Sequence, residues 1–354
     1  MSILLFIVAL AVLILFHELG HFLVAKLSGT KVEEFGIGFP PKIFGVKRGE
    51  TVYSVNWIPF GGFVKVLGED MSTEEAGSFG SKPAYIRAAI LFAGVFFNLI
   101  LAWFLLSAVL LIGAPTSVES GTEGAHVTIL EVQPGTPAEK AGFVPGDKLL
   151  KLSSGENFLE VREISETQGF IKKYAGGEIN IEYLRGKEIL NTKAVPSSNP
   201  PEGVGSLGIA MDKIGIVSVP LHKAVWEGLK STVYLTEAII KSFGALFLDI
   251  IRGGNMVAQV RGPVGIVGMV GTVAEFGFVY VLQFVALLSV NLAILNFIPF
   301  PALDGGRLLF LGVEAIKRSP MNQKAMAIAN SVGFAILILL MLLVTYRDIA
   351  RIVG

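Results

Sequence analysis

His17, Glu18 and His21 form an H-E-x-x-H pattern inside the segment "FHELGH" (16–21). On a helix, positions i and i+4 fall one turn apart on one face. Two imidazoles so placed can reach a single Zn²⁺ at about 2.1 Å. Glu18 cannot point the same way as both histidines. It sits beside the metal, where it can take a proton from a bound water. The plainer reading is a helix end with incidental polar residues. That reading weakens inside an apolar segment, where each charged residue at mid-depth costs about 2.5 kcal/mol or more.

Two histidines are one ligand short, because catalytic zinc usually has three protein ligands and one open position. His126 lies in a polar stretch and His222 at the start of an amphipathic one, so both are poor candidates. A better one is Asp304 in "NFIPFPALDGGR" (296–307). Pro299 and Pro301 break the preceding helix there, and Gly305 and Gly306 are read as giving the backbone freedom. The alternative for Asp304 is an ordinary Asp-Gly turn just outside a membrane.

The elements that would position these residues are apolar. The 354 residues are 52% hydrophobic and 16% charged, with mean hydropathy +0.65, whereas a soluble domain carries roughly 25% charged residues. Net charge is zero, which gives no electrostatic case for nucleic acid. With no cysteine, disulfides and thiolate metal sites are excluded. Segments 3–24, 88–112, 279–298 and 325–346 are long enough to span about 30 Å of hydrocarbon, which takes roughly 20 helical residues. The first lacks a basic start and a cleavage site, so it reads as a retained span.

Lys26 and Lys31 follow the first span, and Arg307, Lys317, Arg318 and Lys324 crowd the link between the third and fourth. The positive-inside rule then places 25–87 and 301–324 in the cytoplasm and 113–278 outside. The first and third spans run the same way. His17, His21 and Asp304 therefore fall at similar depth, near the cytoplasmic side, and this favours Asp304 as the third ligand.

Between the spans, "TVYSVNWIPFGGFVKVLGED" (51–70) alternates. Tyr53, Val55, Trp57 and then Phe63, Val64, Val66 read as short strands around a turn at 59–62. Residues 114–200 form a polar α+β island. It has a strand at "HVTILEV", then a short helix with a capping-box pattern of Thr136 and Glu139. A second strand follows, then a helix over 160–175 and a hairpin turning at 185–187. Residues 219–251 carry charges on one stripe and read as an amphipathic helix lying in the interface, with a fifth span as the alternative.

Together, His17-Glu18-Leu19-Gly20-His21, "NFIPFPALDG" and the island, whose T-P-A-E-K-A-G-F-V-P-G-D run resembles PDZ domains, resemble the site-2 protease family of intramembrane zinc metalloproteases. The branch most similar is that of the bacterial regulator of sigma-E protease. "GGFVKVLGED" (61–70) is similar to that branch's membrane re-entrant β-hairpin, and "RGPVGI" (261–266) to its G-P-x-G-I segment. The resemblance implies a polytopic α-helical protein of the bacterial plasma membrane, with a re-entrant β-hairpin and one inserted extracytoplasmic PDZ domain. The implied parts are a first span over 1–24, a loop with the hairpin over 25–87, a second span over 88–113 and the PDZ domain over 114–200. A linker with the interfacial helix follows over 201–278, then a third span over 279–300, a loop over 301–324, a fourth span over 325–346 and a tail over 347–354.

The resemblance also implies Zn²⁺ on His17, His21 and Asp304, and Glu18 as general base. Asn296, Asn291, Phe63 and Val64 are implied as substrate-binding. The implied activity is endopeptidase cleavage within the transmembrane helix of a membrane-protein substrate, such as an anti-sigma factor or a remnant signal peptide. The PDZ domain would contact a peptide or gate substrate ectodomains. Two departures stand out: Gly38-Phe39-Pro40-Pro41 where the family often has Gly-Phe-Gly-Pro, and Gly94-Val95 where it often has Gly-Pro before an Asn, here Asn98. The rival classes are a membrane scaffold without catalysis, against which the full catalytic set argues, and a metal transporter, for which the second and fourth spans offer only Asn98 and Asn330.

Overall fold

The computed structural model describes residues 2–69, 75–118, 124–201, 203–254, 261–319 and 321–353. Asp70, the last residue of the 61–70 stretch, lies outside them. In chain order the elements are α1 (Ser2–Leu27), β1 (Val32–Arg48), β2 (Thr51–Val66), α2 (Ala84–Ile112), β3 (Ala114–Ser117), β4 (His126–Val132), α3 (Pro137–Lys140), β5 (Lys148–Ser154), β6 (Asn157–Glu160), α4 (Ile164–Lys173), β7 (Ile179–Arg185), β8 (Glu188–Ala194) and β9 (Ile209–Val217). Then follow α5 (Leu221–Ile251), α6 (Pro263–Phe276), α7 (Phe278–Phe297), α8 (Asp304–Lys317) and α9 (Gln323–Val353). The chain divides into two compact units, one formed by Met1–Ala108, His222–Ala274 and Val281–Gly354, the other by Val109–Leu221 and Glu275–Tyr280.

Among the described residues, the helices long and apolar enough to cross a membrane are Ile3–Leu27, Ala84–Ile112, Phe278–Phe297 and Gln323–Arg351, which lie mostly in the first unit. Each continuous apolar run satisfies its backbone within itself, which hydrocarbon demands. Helix α1 ends in a Schellman turn. Gly29 sits at φ +67, the Gly29 N–H donates to Lys26 O, and the Thr30 N–H donates to Ala25 O. Ala9 and Leu13 of α1 pack with Leu101 of α2 and Val285 of α7. Further along, α1 and α2 approach to backbone contact: a methyl on Gly20 would overlap the Ala93 carbonyl.

Strands β1 and β2 curl around one another instead of forming the hairpin expected around 59–62. Glu34, Phe35, Gly36 and Ile37 of β1 each pair with two segments of β2. One is 62–65 and the other is 52–55. The alternating runs at 53–57 and 63–66 therefore flank β1 on opposite edges and do not pair with each other. The central ribbon comes from 32–37, a glycine-containing stretch with no clean alternation to announce it. The bends fall where the backbone needs glycine, at Gly38 (φ +77) and Gly61 (φ +116).

Helix α5 covers most of the 219–251 stretch expected to be an amphipathic helix. It lies lengthwise on α2 and α7. The Trp103 indole N–H donates to Val225 O at 2.8 Å, and Gly228 faces Ser107 with no room for a side chain. Ile239 is buried with Ala102, Ala286 and Val290. Its charges ride the outer stripe, as the Lys230–Glu227 and Lys241–Glu237 pairs show.

The second unit is built on a seven-stranded sheet of order β3-β9-β4-β5-β7-β8, with β6 beside β5. Its core joins Val127, Ile129, Leu149, Leu152, Ile179 and Ile181, all fully enclosed. Strand β9 falls in what was expected to be linker, so the α+β unit runs beyond residue 200. The capping box does not close: the Thr136 hydroxyl donates to Gln133 O, and Glu139 accepts from the Gly135 N–H. Asp147 is fully buried and takes two hydrogen bonds from Arg185, each 2.7 Å. Those hydrogen bonds hold the Arg185 guanidinium more firmly protonated than usual.

Candidate metal centre

His17 and His21 lie one turn apart on the buried side of α1. Asp304 arrives as the first residue of α8, and the loop that delivers it is tightly folded. Leu303 caps α8 in extended conformation, and Ala302 sits at φ +77, a region that side-chain-bearing residues rarely adopt. The Ala302 N–H is held by Oδ1 of Asn330 on α9 at 3.1 Å. Gly305 and Gly306 supply space, not freedom. A methyl on Gly305 would overlap the carbonyls of Phe297 and Ile298, and one on Gly306 would overlap that of Phe300. Gly333 of α9 does the same for Pro301, whose carbonyl would lie 2.5 Å from an added methyl.

The result is a triangle of donor atoms. Nε2 of His17 lies 3.0 Å from Oδ2 of Asp304, Nε2 of His21 lies 3.4 Å from the same oxygen, and the two Nε2 atoms are 3.2 Å apart. Tetrahedral ligands about 2.05 Å from zinc stand about 3.3 Å from one another, so the triangle has the edge lengths that zinc requires. Oδ2 of Asp304 is buried and has no hydrogen-bond donor among the described residues. With both Nε2 atoms unprotonated, the three lone-pair atoms face one another and repel unless a cation lies among them. Nitrogen, nitrogen and carboxylate oxygen are a donor set that suits Zn²⁺. Among the described residues this is the group of histidine and acidic side chains that fits a metal.

Helix α2 supports the triangle from behind. Nδ1 of His21 lies 2.8 Å from Ile90 O, and Nδ1 of His17 lies 3.2 Å from the Asn98 side-chain amide. Between them is Gly94, where a methyl would lie 2.6 Å from Cε1 of His17 and overlap Nε2 of His21. Residues 90, 94 and 98 recur every fourth position and so form one face of α2. Sequence reading missed this face. Its one visible signal was Asn98, a polar residue inside an apolar span.

The other expected residues fall out differently. Glu18 sits beside β2, its Cγ 3.5 Å from where a side chain on Gly62 would begin. Asn296 reaches His17 Nε2 only at 3.5 Å. Asn291 turns away and donates to Leu287 O on its own helix at 3.0 Å. Phe63 covers Gly36, and Val64 packs into the cluster of Ala25, Val32 and Val66. Gly62 thus lies against the acid.

The chain is similar to known proteins over nearly its whole length. The model of peptidase family M50 matches residues 5–340. A Clostridium perfringens protein described as a candidate zinc metalloprotease is 38% identical over 345 residues, covering 96% of each chain. The zinc metalloprotease RasP of Geobacillus kaustophilus is 30% identical over 435 aligned positions, covering 99% of this chain and 98% of its own. The regulator of sigma-W protease RasP of Bacillus subtilis is 30% identical over 431 positions, covering 98% and 97%. With the match running from α1 to α9, this chain belongs to peptidase family M50, the site-2 proteases, and is a zinc metalloprotease of the membrane-embedded kind.

Proposed function

We propose that this chain is an intramembrane endopeptidase that hydrolyses a peptide bond within the transmembrane helix of a membrane-protein substrate. The observation that carries the proposal is the donor triangle of His17, His21 and Asp304, with both histidines on α1, a helix apolar enough to cross a membrane, and Asp304 at the start of α8. Bound there, zinc supplies Lewis acidity for a carbonyl and makes water a better nucleophile near neutral pH.

The remaining work falls to side chains. Glu18 takes a proton from the attacking water as its oxygen bonds to the carbonyl carbon. It then passes that proton to the departing amine nitrogen as the C–N bond breaks. Asn296, at the edge of the triangle, orients the carbonyl. A substrate helix shields its own peptide bonds, so it must first unwind. The 62–66 ribbon of β2 pairs with β1 on one edge and runs past Glu18. An unwound strand added to its other edge would bring a peptide bond to the base.

In the second unit, a cleft of about 300 Å³ between α4 and the start of β9 is lined by Gln168, Ile171, Lys172, Gly208 and Ile209. We assign it to the substrate's extramembrane tail. On the positive-inside argument, this unit lies outside the cell and the metal centre near the cytoplasmic side. The Bacillus subtilis relative, a regulator of sigma-W protease, supports a regulatory membrane protein as substrate.

The test is metal analysis of the purified protein, with cleavage of a model transmembrane peptide in vesicles. Stoichiometric zinc and chelator-blocked cleavage are expected, with both lost in His17→Ala and Asp304→Ala. Zinc binding without cleavage of any membrane substrate would point to the scaffold class instead.

A further inference from the structure

Asn98 has no part in the chemistry described so far, yet it is fully buried among apolar neighbours on α2. Its amide lies 3.2 Å from Nδ1 of His17, while the other histidine nitrogen, Nε2, faces Asp304 and His21. A histidine that binds metal through Nε2 carries its proton on Nδ1 and must find an acceptor for it. For His21 the acceptor is the backbone carbonyl of Ile90. For His17, among the described residues, the side chain of Asn98 is in reach of Nδ1. The two amide orientations differ only in which atom faces the ring, and the hydrogen-bond network decides between them. With Nδ2 toward His17, two N–H donors oppose each other. With Oδ1 toward His17, the ring proton is accepted.

We propose that Asn98 is a positioning residue of the metal centre: its Oδ1 accepts the Nδ1 proton of His17 and fixes both the tautomer and the plane of that ring. The proposal rests on the reading of His17, His21 and Asp304 as the metal ligands. The backbone of Asn98 is itself pinned. Its carbonyl accepts a hydrogen bond from the buried Ser289 hydroxyl of α7 at 2.8 Å. The acceptor is therefore held by the same helix that leads to Asp304. Gly94, one turn before Asn98, keeps α2 close enough for the bond to form.

The experiment is zinc affinity of the full-length protein in detergent, measured by chelator competition, together with the visible spectrum of the Co²⁺ form. Asn98→Leu keeps the volume and removes the acceptor. It is expected to weaken zinc binding by about 10- to 100-fold and to alter the Co²⁺ bands. Asn98→Asp keeps an acceptor and is expected to bind zinc at least as tightly as wild type. If Asn98→Leu binds zinc as wild type does, the role is overturned. If Asn98→Leu does not fold, Asn98→Asp decides alone, and weakened binding there overturns the role. His17→Ala separates the two levels. Undiminished zinc affinity in that variant would bring down the ligand assignment itself, whereas an unaffected Asn98→Leu beside a zinc-free His17→Ala would bring down only the part given to Asn98.

Discussion

A methyl group on Gly94 would lie 2.6 Å from Cε1 of His17, closer than side-chain carbons pack. Helix α2 therefore reaches the metal centre only because this residue has no side chain. Gly94→Ala must push α2 outward or turn an imidazole out of the triangle. Zinc affinity is expected to fall by at least about 10-fold, with the strands of the second unit unaffected in hydrogen exchange. Wild-type zinc content in Gly94→Ala would refute the close packing.

Glu18 separates chemistry from assembly. Glu18→Gln keeps the shape and removes the base, so bound zinc should stay stoichiometric while cleavage falls by about 10²- to 10⁴-fold. Single-turnover cleavage of a transmembrane peptide measures the second quantity, and a wild-type rate would sink the assignment.

Gly62 tests whether β2 places the base. Its missing side chain would start 3.0 Å from Gly36 O and 3.5 Å from Cγ of Glu18. Gly62→Val is expected to slow cleavage by about 10²-fold through displacement of Glu18, with zinc affinity unchanged. Loss of zinc in this variant would show that β2 supports the ligands and not the base.

Asn330 holds a strained turn. Ala302 at φ +77 is stabilised by a hydrogen bond to Oδ1 of Asn330, two residues before the ligand Asp304. Asn330→Leu removes the acceptor and should release the turn, weakening zinc. Ala302→Gly relieves the backbone and is expected to recover part of that loss when combined with it, since the strain is worth about 1 kcal/mol or more. Chelator competition on the single and double variants reads both effects.

Arg185→Met leaves the fully buried Asp147 carboxylate without its counter-charge. Removing one partner of such a pair costs about 3–5 kcal/mol. Hydrogen exchange should show lost protection in β5 and β7, while zinc content is unchanged. Equal protection in the variant would mean that water or another group compensates the charge.

The residues proposed to do chemistry were legible because their cost is visible. Two histidines and an acid in an apolar run demand a reason, and Asp304 after a helix-breaking pair of prolines offers a third ligand. What stayed hidden contributes no distinctive side chain. Ile90 acts through its carbonyl, Gly94 through an absence, and Gly305 and Gly306 through room for carbonyls they must pass. The curl of β1 and β2 was missed because period-two alternation marks strands but not partners. Gly36 and Ile37 could pair either way until the chain turned at Gly38 and Gly61. The amphipathic stripe of α5 was read correctly as a stripe. Ala224, Gly228, Thr232 and Ile239 are buried, whereas Trp226, Val233, Ile240 and Phe247 stay exposed, a division that periodicity alone does not make.

The fit of α5 against α2 has a consequence for how such a protein is inherited. Ser107 faces Gly228, and the Val219 N–H donates to Leu110 O at 3.0 Å, so the chain departs from one helix and returns to its neighbour almost at the same point. Everything between is a cassette with adjoining ends. Such a cassette can lengthen, duplicate or be exchanged for another while the catalytic helices keep their register. The alignments to the two RasP proteins run to 435 and 431 positions against a chain of 354, so those relatives carry residues that this chain lacks.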